Sequence, residues 1–250
     1  REAARIARDN PELDVGLHAV VCMGRSVLPR ARLGALVDGD GRFPQGAVGA
    51  GLRWFFDRKL RDALAAELRA QVERHLELVG YLNHIDGHLN FHVHPTIADV
   101  LVALAVEFRV PCLRLPREPA FTTLLLARDH AAQKLIGQVI FRALSRRTSR
   151  LMSARKLRSS DWLFGLHQSG HLSEPYLRGV IERLRDGVTE LYFHPALDLG
   201  ATPPPAAAQL EAEMLVSPWL RQAIERGGIE LTNFAKLARG ESLETRLREA

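Results

Sequence analysis

The chain has 250 residues, 46% of them hydrophobic and 25% charged, which is ordinary for a globular protein with a substantial core. Its net charge of +5, a mild excess of basic residues, is too thinly spread to indicate a nucleic-acid partner. No apolar run reaches the roughly 18 residues of a membrane span, and Cys22 and Cys112 are set among apolar residues. We therefore expect no transmembrane segment, no disulfide framework and a reducing, cytoplasmic location.

The first predicted elements are a helix and a strand. Residues 1–8 are amphipathic and carry neither an initiator methionine nor a signal-peptide pattern, so we expect the sequence to begin inside a domain. Residues 13–22 then predict a strand that places His18 between Leu17 and Ala19. A single histidine on an apolar strand is more often a satisfied core residue than a ligand, and the strand alone leaves both uses open.

Helical spacing follows this strand and a loop. Apolar residues recur every four positions over 52–79, and Gly80 predicts the end of the helix. A further helix is predicted over 97–107 and a strand over 110–116. Arg114, near the end of that strand, fits an anion clamp and a surface ion pair equally well.

The second half of the chain also alternates helices with strands. Residues 124–158 predict a helical region whose basic cluster lacks interleaved aromatic residues, which favours a solvated face over a nucleic-acid surface. The strand predicted over 188–195 carries Glu190, Tyr192 and His194 on one face. The other predicted elements are a strand at 161–166, helices at 174–185, from 209 and from 217 to 228, and a short strand at 229–232.

The densest cluster of reactive side chains lies between the first long helix and the next one. The residues of one parity there are His88, Asn90, His92 and His94, and those of the other parity are apolar. On an extended strand this pattern would line one face with imidazoles. Imidazole binds first-row metals and titrates near neutral pH. We therefore favour a functional row over a few exposed histidines on an edge strand.

Strands that alternate with helices predict an α/β fold with a mainly parallel sheet. Histidines occur near the strand ends at 18, 88–94 and 194. They would converge on one rim if the sheet closes into a barrel. No internal repeat and no convincing linker divides the sequence, so we expect one domain over residues 1–250.

Three motifs, in this order, resemble those of the YdjC-like carbohydrate deacetylases. They are Gly16-Leu17-His18, Ile85-Asp86-Gly87-His88-x-Asn90-x-His92 and Glu190-Leu191-Tyr192-Phe193-His194-Pro195. The resemblance covers essentially the whole chain and is closest to the hopanoid-biosynthesis-associated (HpnK) branch. The segments similar to that branch are Asp40-Gly41-Arg42-Phe43-Pro44, His92-Val93-His94-Pro95-Thr96 and Arg114-Leu115-Pro116-Arg117-Glu118-Pro119.

The resemblance implies a distorted, TIM-like (β/α) barrel that removes acetyl groups from N-acetylated sugars with one divalent metal ion, Mg²⁺ and Zn²⁺ being among the choices. His18 and His88 would be ligands of that ion. The family's Asp-Asp pair on a first strand, which would supply a third ligand and a general base, is missing from this sequence. We therefore expect a barrel that is incomplete at its N-terminus. Its open strand edge would pair with a second chain, giving a homodimer, or be poorly ordered.

The same resemblance implies roles in amide hydrolysis. His194 would protonate the leaving amine, with His92 as the second choice. Arg114 would orient the sugar or stabilise the oxyanion, and it forms the predicted substrate-binding set together with Asp86 and Asn90. The family row usually carries another histidine at the position of Asn90, and an amide cannot act as an acid or base at neutral pH.

Two interpretations of the function follow. In the first, the chain is a deacetylase of an N-acetyl sugar or glycolipid, such as an N-acetylglucosaminyl hopanoid. In the second, it is a catalytically inactive family member that binds sugar or acts as a scaffold, which the missing Asp pair and Asn90 favour. For a lipid-linked substrate, Trp54-Phe55-Phe56 and Phe121 are candidate linings of an apolar groove, although core packing is the favoured use of these residues.

Overall fold

The structure of the chain is a computed structural model that describes residues 2–198 and 203–240. Within these ranges the chain forms two compact units. Unit 1 contains the residues up to 115, residues 144–159 and those from 233 onwards, and unit 2 contains residues 116–143 and 160–232. That these units make up one domain over residues 1–250 stays a prediction.

The described residues contain helices and strands in alternation, as predicted. The helices are α1 (Glu2–Asp9), α2 (Arg30–Leu33), α3 (Ala47–Phe56), α4 (Arg61–Val79), α5 (Pro95–Glu107), α6 (Ala120–Leu126), α7 (Ala131–Ser153), α8 (Glu174–Ile181), α9 (Ala206–Leu215), α10 (Pro218–Arg226) and α11 (Phe234–Arg239). The strands are β1 (Leu17–Ala19), β2 (His84–Gly87), β3 (Cys112–Leu113), β4 (Trp162–Phe164) and β5 (Thr189–Leu191). Short 3₁₀ turns cover Gly34–Leu36, Arg58–Leu60 and His88–Val93.

Two separate parallel sheets confirm the predicted mixed α/β class. Unit 1 holds a three-stranded sheet in the order β1-β2-β3, with His18 opposite Asp86 in the register of β1 and β2. Unit 2 holds the pair β4-β5, with Leu163 opposite Glu190. Among the residues that the structure describes, these sheets are open and form no closed barrel, so the TIM-like barrel stays a prediction.

The core of unit 1 lies between its sheet and helices α4 and α5. Helix α4 buries Leu64, Leu68 and Val72 of the predicted i, i+4 stripe, and it ends at Gly80 with φ 90°. The single helical pattern predicted over 52–79 is wrong in extent, because the backbone of Asp57 is extended and separates α3 from α4. Helix α5 is apolar on most of its surface and is covered on several sides, and β2 contributes Ile85, which has no exposed surface. These contacts fix the three short strands although each has few ladder hydrogen bonds of its own.

A polar pair on α4 holds the loop that follows β1. Glu67 has no exposed surface, and its two carboxylate oxygens accept hydrogen bonds from the backbone amides of Val27 and Leu28 at 2.8 and 2.9 Å. Gln71 bonds both backbone groups of Val20, at 2.9 and 2.7 Å, and donates to Glu67 at 2.9 Å. Because loop amides buried without partners are costly, this pair specifies the path of the chain beyond β1.

The core of unit 2 packs around the strand pair β4-β5. The buried cluster contains Phe164, Leu172, Tyr176, Val180 and Met214. Below it, the carboxylate of Glu118 is 5% exposed and accepts hydrogen bonds from the Thr123 and Tyr176 hydroxyls, at 2.6 and 3.2 Å. Burial raises the pKa of Glu118, and these hydrogen bonds oppose part of that increase.

Some predicted elements are wrong in extent. The helical region over 124–158 is two helices, because the chain turns between α6 and α7, where His130 adopts φ 51°. The strand predicted over 229–232 does not form: the amide of Ile229 instead donates to Ile224 at the end of α10, as part of a helix stop. Short apolar runs cannot distinguish such a stop from a strand.

The aromatic residues proposed as groove linings do not behave alike. Trp54 is 1% exposed, so core packing is confirmed for it. Phe55, Phe56 and Phe121 are 52, 73 and 76% exposed, so core packing is wrong for these three. On α3 the reason is helical geometry, because Trp54 faces inward and the next two residues, 100° and 200° further around the helix, face away from the core.

Candidate functional site

The histidine-rich segment turns back on itself rather than continuing as a strand. Strand β2 ends at Gly87, and Leu89 and Asn90 adopt left-handed conformations with φ 51° and 58°. The prediction of one imidazole-lined face over residues 88–94 is therefore wrong. A Cβ on Gly87 would lie 3.1 Å from the backbone nitrogen of His92, so the missing side chain makes room for this turn.

The histidines of β2 and the turn lie in different surroundings. His92 is 1% exposed, and burial lowers its pKa to about 4. His94 bonds the carbonyl oxygen of Gly51 through Nε2 at 3.0 Å, which ties the turn to α3. His84, at the start of β2, stacks on Phe234 with ring centroids 4.1 Å apart. His88 is partly exposed and lies beside His18 of β1, so the four histidines have four different surroundings.

Three neighbouring strands bring His18, Asp86 and Arg114 side by side. Because His18 and Asp86 are opposite each other in the parallel register, His18 Nδ1 lies 2.8 Å from Asp86 Oδ1. Arg114 follows β3, where its backbone nitrogen donates to the carbonyl oxygen of Ile85 at 3.0 Å. Its guanidinium donates to the other carboxylate oxygen of Asp86. The parallel sheet therefore builds a chain of charge-assisted hydrogen bonds across its three strands.

The electrostatics of this chain keep Asp86 ionised. Its side chain is only 10% exposed, and burial alone would raise its pKa. The hydrogen bond from His18 and the positive charge of Arg114 outweigh burial and bring the pKa of Asp86 down to about 2. An ionised carboxylate at Nδ1 favours the His18 tautomer that carries its proton there, which leaves Nε2 with a lone pair directed away from Asp86.

His88 provides a second imidazole beside that lone pair. Its Nδ1 lies 3.5 Å from His18 Nε2, and the two rings meet nearly at right angles, at 79°. Two nitrogen ligands of one tetrahedral ion, each at about 2.0–2.1 Å, are separated by about 3.4 Å. The pair therefore fits a shared divalent cation, with Asp86 as the carboxylate that orients a ligand histidine.

The described residues supply two nitrogen donors to such a cation and no more. No group of three or more His, Cys, Asp or Glu side chains suited to a metal ion occurs within 2–198 and 203–240. Asp86 is close by, but its two oxygens are taken up by His18 and Arg114. The ligand roles of His18 and His88, and the metal itself, therefore stay predictions.

The predicted substrate-binding residues differ in how accessible they are to a substrate. Arg114 has a side chain only 15% exposed and points to Asp86, so its first function is to hold that carboxylate. Asn90 lies partly exposed in the turn after β2, in a left-handed conformation that asparagine tolerates better than most residues. Contact of Arg114, Asp86 or Asn90 with a sugar stays a prediction.

The two candidate general acids differ in exposure. His92 is buried, which disfavours direct proton transfer to a substrate. His194 belongs to unit 2 and is exposed just after β5, with Nδ1 3.3 Å from the Ser169 hydroxyl and its ring edge-on to Tyr192. Its backbone amide donates to Glu211 on α9 at 2.5 Å. The catalytic role of His194 stays a prediction.

The sequence did not predict the hydrogen bond between Asp86 and His18. It also did not predict that Glu67 and Glu211 accept hydrogen bonds from loop amides. Glu67 and Glu211 each have no exposed surface, and each accepts a hydrogen bond from a backbone amide. The only sequence signal is a glutamate on the apolar side of a helix. For Asp86, the parity it shares with His88 was visible, but the register against His18 was not.

Comparisons with known proteins all find similarity to one family and to carbohydrate deacetylases. A family model described as YdjC-like protein matches residues 1–226. A carbohydrate deacetylase from Geobacillus stearothermophilus is 29% identical over 238 residues, which cover 93% of this chain and 79% of that protein. A chitooligosaccharide deacetylase from Yersinia enterocolitica is 26% identical over 248 residues, which cover 93% of this chain and 81% of that protein.

A solved structure shares the fold. It is the crystal structure of a proposed cellobiose-phosphate cleavage protein from Enterococcus faecalis, with a TM-score of 0.69 and 22% sequence identity. The match covers 94% of this chain and 82% of that one. At this identity the likeness concerns the fold alone.

Proposed function

The chain belongs to the YdjC-like family, and from this membership we propose that it is a carbohydrate deacetylase, a hydrolase that removes an acetyl group from an N-acetylated sugar. The observation that carries the proposal is the arrangement of His18 between Asp86 and His88, at 2.8 and 3.5 Å. The side chain of His18 is 50% exposed, so His18 is not a core histidine.

The proposed cofactor is one divalent cation held by His18 Nε2 and His88 Nδ1. Two imidazole ligands suit Zn²⁺ better than Mg²⁺, which prefers oxygen. When bound, such a cation polarises an acetyl carbonyl and lowers the pKa of a bound water. The support for the site is the separation of the two nitrogens and the carboxylate behind His18.

The residues of the chain itself have three proposed tasks. Asp86 holds a proton on His18 Nδ1 and fixes the plane of that ring, and Arg114 fixes Asp86 in turn. Water adds to the acetyl carbon to form the new C–O bond, and His194 donates a proton to the sugar nitrogen as the C–N bond breaks, so that the products are acetate and a free amine. Ser169 at His194 Nδ1 directs the other ring nitrogen outward for this transfer.

The finer proposal for the substrate is an N-acetylglucosaminyl group, including one linked to a hopanoid. Its support is the set of sequence segments similar to the hopanoid-associated branch. We also propose the TIM-like barrel and the homodimer for this chain. Both rest on the same resemblance to the hopanoid-associated branch.

The test is acetate release from N,N′-diacetylchitobiose by the purified chain, with Zn²⁺, Mg²⁺, Mn²⁺ or Co²⁺ added in turn. We expect turnover with at least one metal and a loss of at least about 100-fold in His18→Ala, because a ligand of the metal is removed. His171→Ala is the matched control, since this histidine is exposed on a loop of unit 2 and should change turnover by less than about twofold.

Elemental analysis of the same preparations separates binding from catalysis. Metal that is present in the wild type and the His171 variant but absent in the His18 variant supports the site. If the wild type binds diacetylchitobiose in calorimetry but releases no acetate with any of the metals, the deacetylase proposal is refuted. The catalytically inactive, sugar-binding interpretation would then take its place, as the asparagine at position 90 favours.

A further inference from the structure

Helix α3 exposes an apolar face on the side away from the core. Val48, Leu52, Phe55 and Phe56 are 79, 56, 52 and 73% exposed. At 100° per residue these four side chains fall within an arc of about 100°. Ala50 and Trp54 on the opposite side are buried at 2 and 1% exposure. The helix is therefore anchored by one apolar face and presents a second one to its surroundings.

The two phenylalanines make this face unusual. Their rings pack edge-to-face with centroids 5.0 Å apart, which holds both rings together at the surface rather than folding one inward. A single exposed apolar residue is normal, but a contiguous set of this kind marks an interaction site.

A basic cluster lies on α3 and in the segment that follows it. Arg53 on α3 and the segment after it, Arg58, Lys59 and Arg61, are all exposed. Within the described ranges, none of the four forms an ion pair with an acidic side chain. Asp57 and Asp62 lie among them in the sequence, so residues 53–62 carry four basic and two acidic side chains, a net charge of +2. Basic residues next to exposed phenylalanines suit a surface that is negatively charged outside and apolar a few ångströms below.

This face is mechanically joined to the candidate site within unit 1. His94 bonds the carbonyl oxygen of Gly51 on α3 at 3.0 Å, and its ring lies 6.3 Å from that of Phe55. Phe91 packs edge-on against Trp54, with centroids 4.9 Å apart. Phe91 and His94 belong to the turn that carries His88. A partner bound to α3 would therefore lie at a fixed position relative to this turn.

We propose that α3 is a docking face for an anionic lipid bilayer. Val48, Leu52, Phe55 and Phe56 insert at the boundary between headgroups and acyl chains, and the basic cluster contacts the lipid phosphates and carboxylates. Residues 2–198 and 203–240 contain no helix with the length and hydropathy of a membrane span. A second copy of the chain fits this face less well, because two copies of the basic cluster would be brought together at a two-fold interface.

The test is cosedimentation of the full chain with sucrose-loaded vesicles, made of phosphatidylcholine alone or with about 30% phosphatidylserine, at about 0.05 and 0.5 M salt. We expect binding to the anionic vesicles at low salt and much weaker binding to the neutral ones. Phe55→Ser/Phe56→Ser should lower the partition coefficient by roughly tenfold or more. The matched control Phe121→Ser removes an equally exposed phenylalanine from α6 and should bind as the wild type does.

A second pair of variants tests the charges. Arg58→Glu/Lys59→Glu should reduce binding by roughly 25-fold or more, since each basic residue near an anionic surface contributes about fivefold. Arg221→Glu/Arg226→Glu changes the net charge equally on exposed positions of α10 and should bind several-fold better than the first pair. Circular dichroism shows whether each variant is folded. If the double serine variant does not fold, the charge-reversal variant still tests the proposal.

The proposal is overturned if wild-type chain fails to bind anionic vesicles. It is also overturned if binding is the same in the α3 variants and their controls. Sedimentation that shows a dimer lost in Phe55→Ser/Phe56→Ser, without vesicle binding by the wild type, would assign the face to a second copy instead. None of these readouts needs deacetylase turnover, so the docking proposal and the proposed function fail independently.

Discussion

Replacing Asp86 with asparagine tests whether this carboxylate orients His18. The substitution keeps the shape of the side chain but removes the charge that His18 and Arg114 share. Asparagine resembles a neutral aspartic acid, so the lowered pKa of Asp86, from its ordinary 3.8 to about 2, sets the scale of the loss. At about 1.4 kcal/mol for each pH unit of lowering, the free energy of unfolding should fall by about 2–3 kcal/mol at pH 7.

The expected loss is larger than that of an ordinary surface pair. Arg114 is only 15% exposed, and it would lose the charge of its carboxylate partner, which costs more in a buried pair than in an exposed one. Asp99→Asn is the matched control, because Asp99 pairs with Arg147 at 2.7 Å while both side chains are about 40% exposed. Exposed pairs of this kind contribute about 0–1 kcal/mol.

The measurement is urea unfolding followed by circular dichroism, without added metal. With a slope of about 2–3 kcal/mol per molar urea, the midpoint of Asp86→Asn should fall by about 1 M and that of the control by less than about 0.4 M. In the acetate-release assay, Asp86→Asn should lose about 10–100-fold in activity, as orienting partners of metal ligands do. A stability within about 0.5 kcal/mol of the wild type, together with undiminished turnover, would refute the orienting role.

Three further predictions concern stability in unit 1. Glu67→Ala should cost about 3–5 kcal/mol in urea unfolding, because two backbone amides lose their hydrogen bonds to a carboxylate that has no exposed surface. Glu73→Ala on the exposed side of α4 should cost less than about 1 kcal/mol. Burial lowers the pKa of His84 from 6.5 to about 4, so the folded state favours the neutral imidazole. The resulting contribution to the free energy of unfolding is fully present above pH 6.5, and about 3 kcal/mol of it is lost as the pH falls to 4. In His84→Gln this part of the pH dependence should vanish from melting curves, and an unchanged slope between pH 6.5 and 4 would contradict the assignment. Gly16→Ala should lower the melting temperature by several degrees because its Cβ would overlap the His84 ring, whereas Gly49→Ala on α3 meets nothing within 4 Å and should raise it slightly; equal effects would show that the overlap is absent.

The sequence by itself determined the class of fold and the identity of the important residues. Alternating strand and helix patterns predicted a mixed α/β fold with parallel strands, and the family motifs pointed to His18, Asp86, His88 and Arg114, which the structure brings together in unit 1. The fold class could be predicted because hydrophobic periodicity is a local property that can be read along one chain. The functional roles of the four residues, which rest on motif chemistry, stay predictions.

Only the tertiary structure decided what each of these residues does. The periodicity of the histidine row could not show that the chain leaves the strand at Gly87, because that turn depends on packing against β1 and on two left-handed residues. Likewise, the pairing of His18 with Asp86 depends on the register of two strands 68 residues apart. The proposed orienting role of Asp86 therefore could not be inferred from the sequence, because register and burial arise only when distant segments pack.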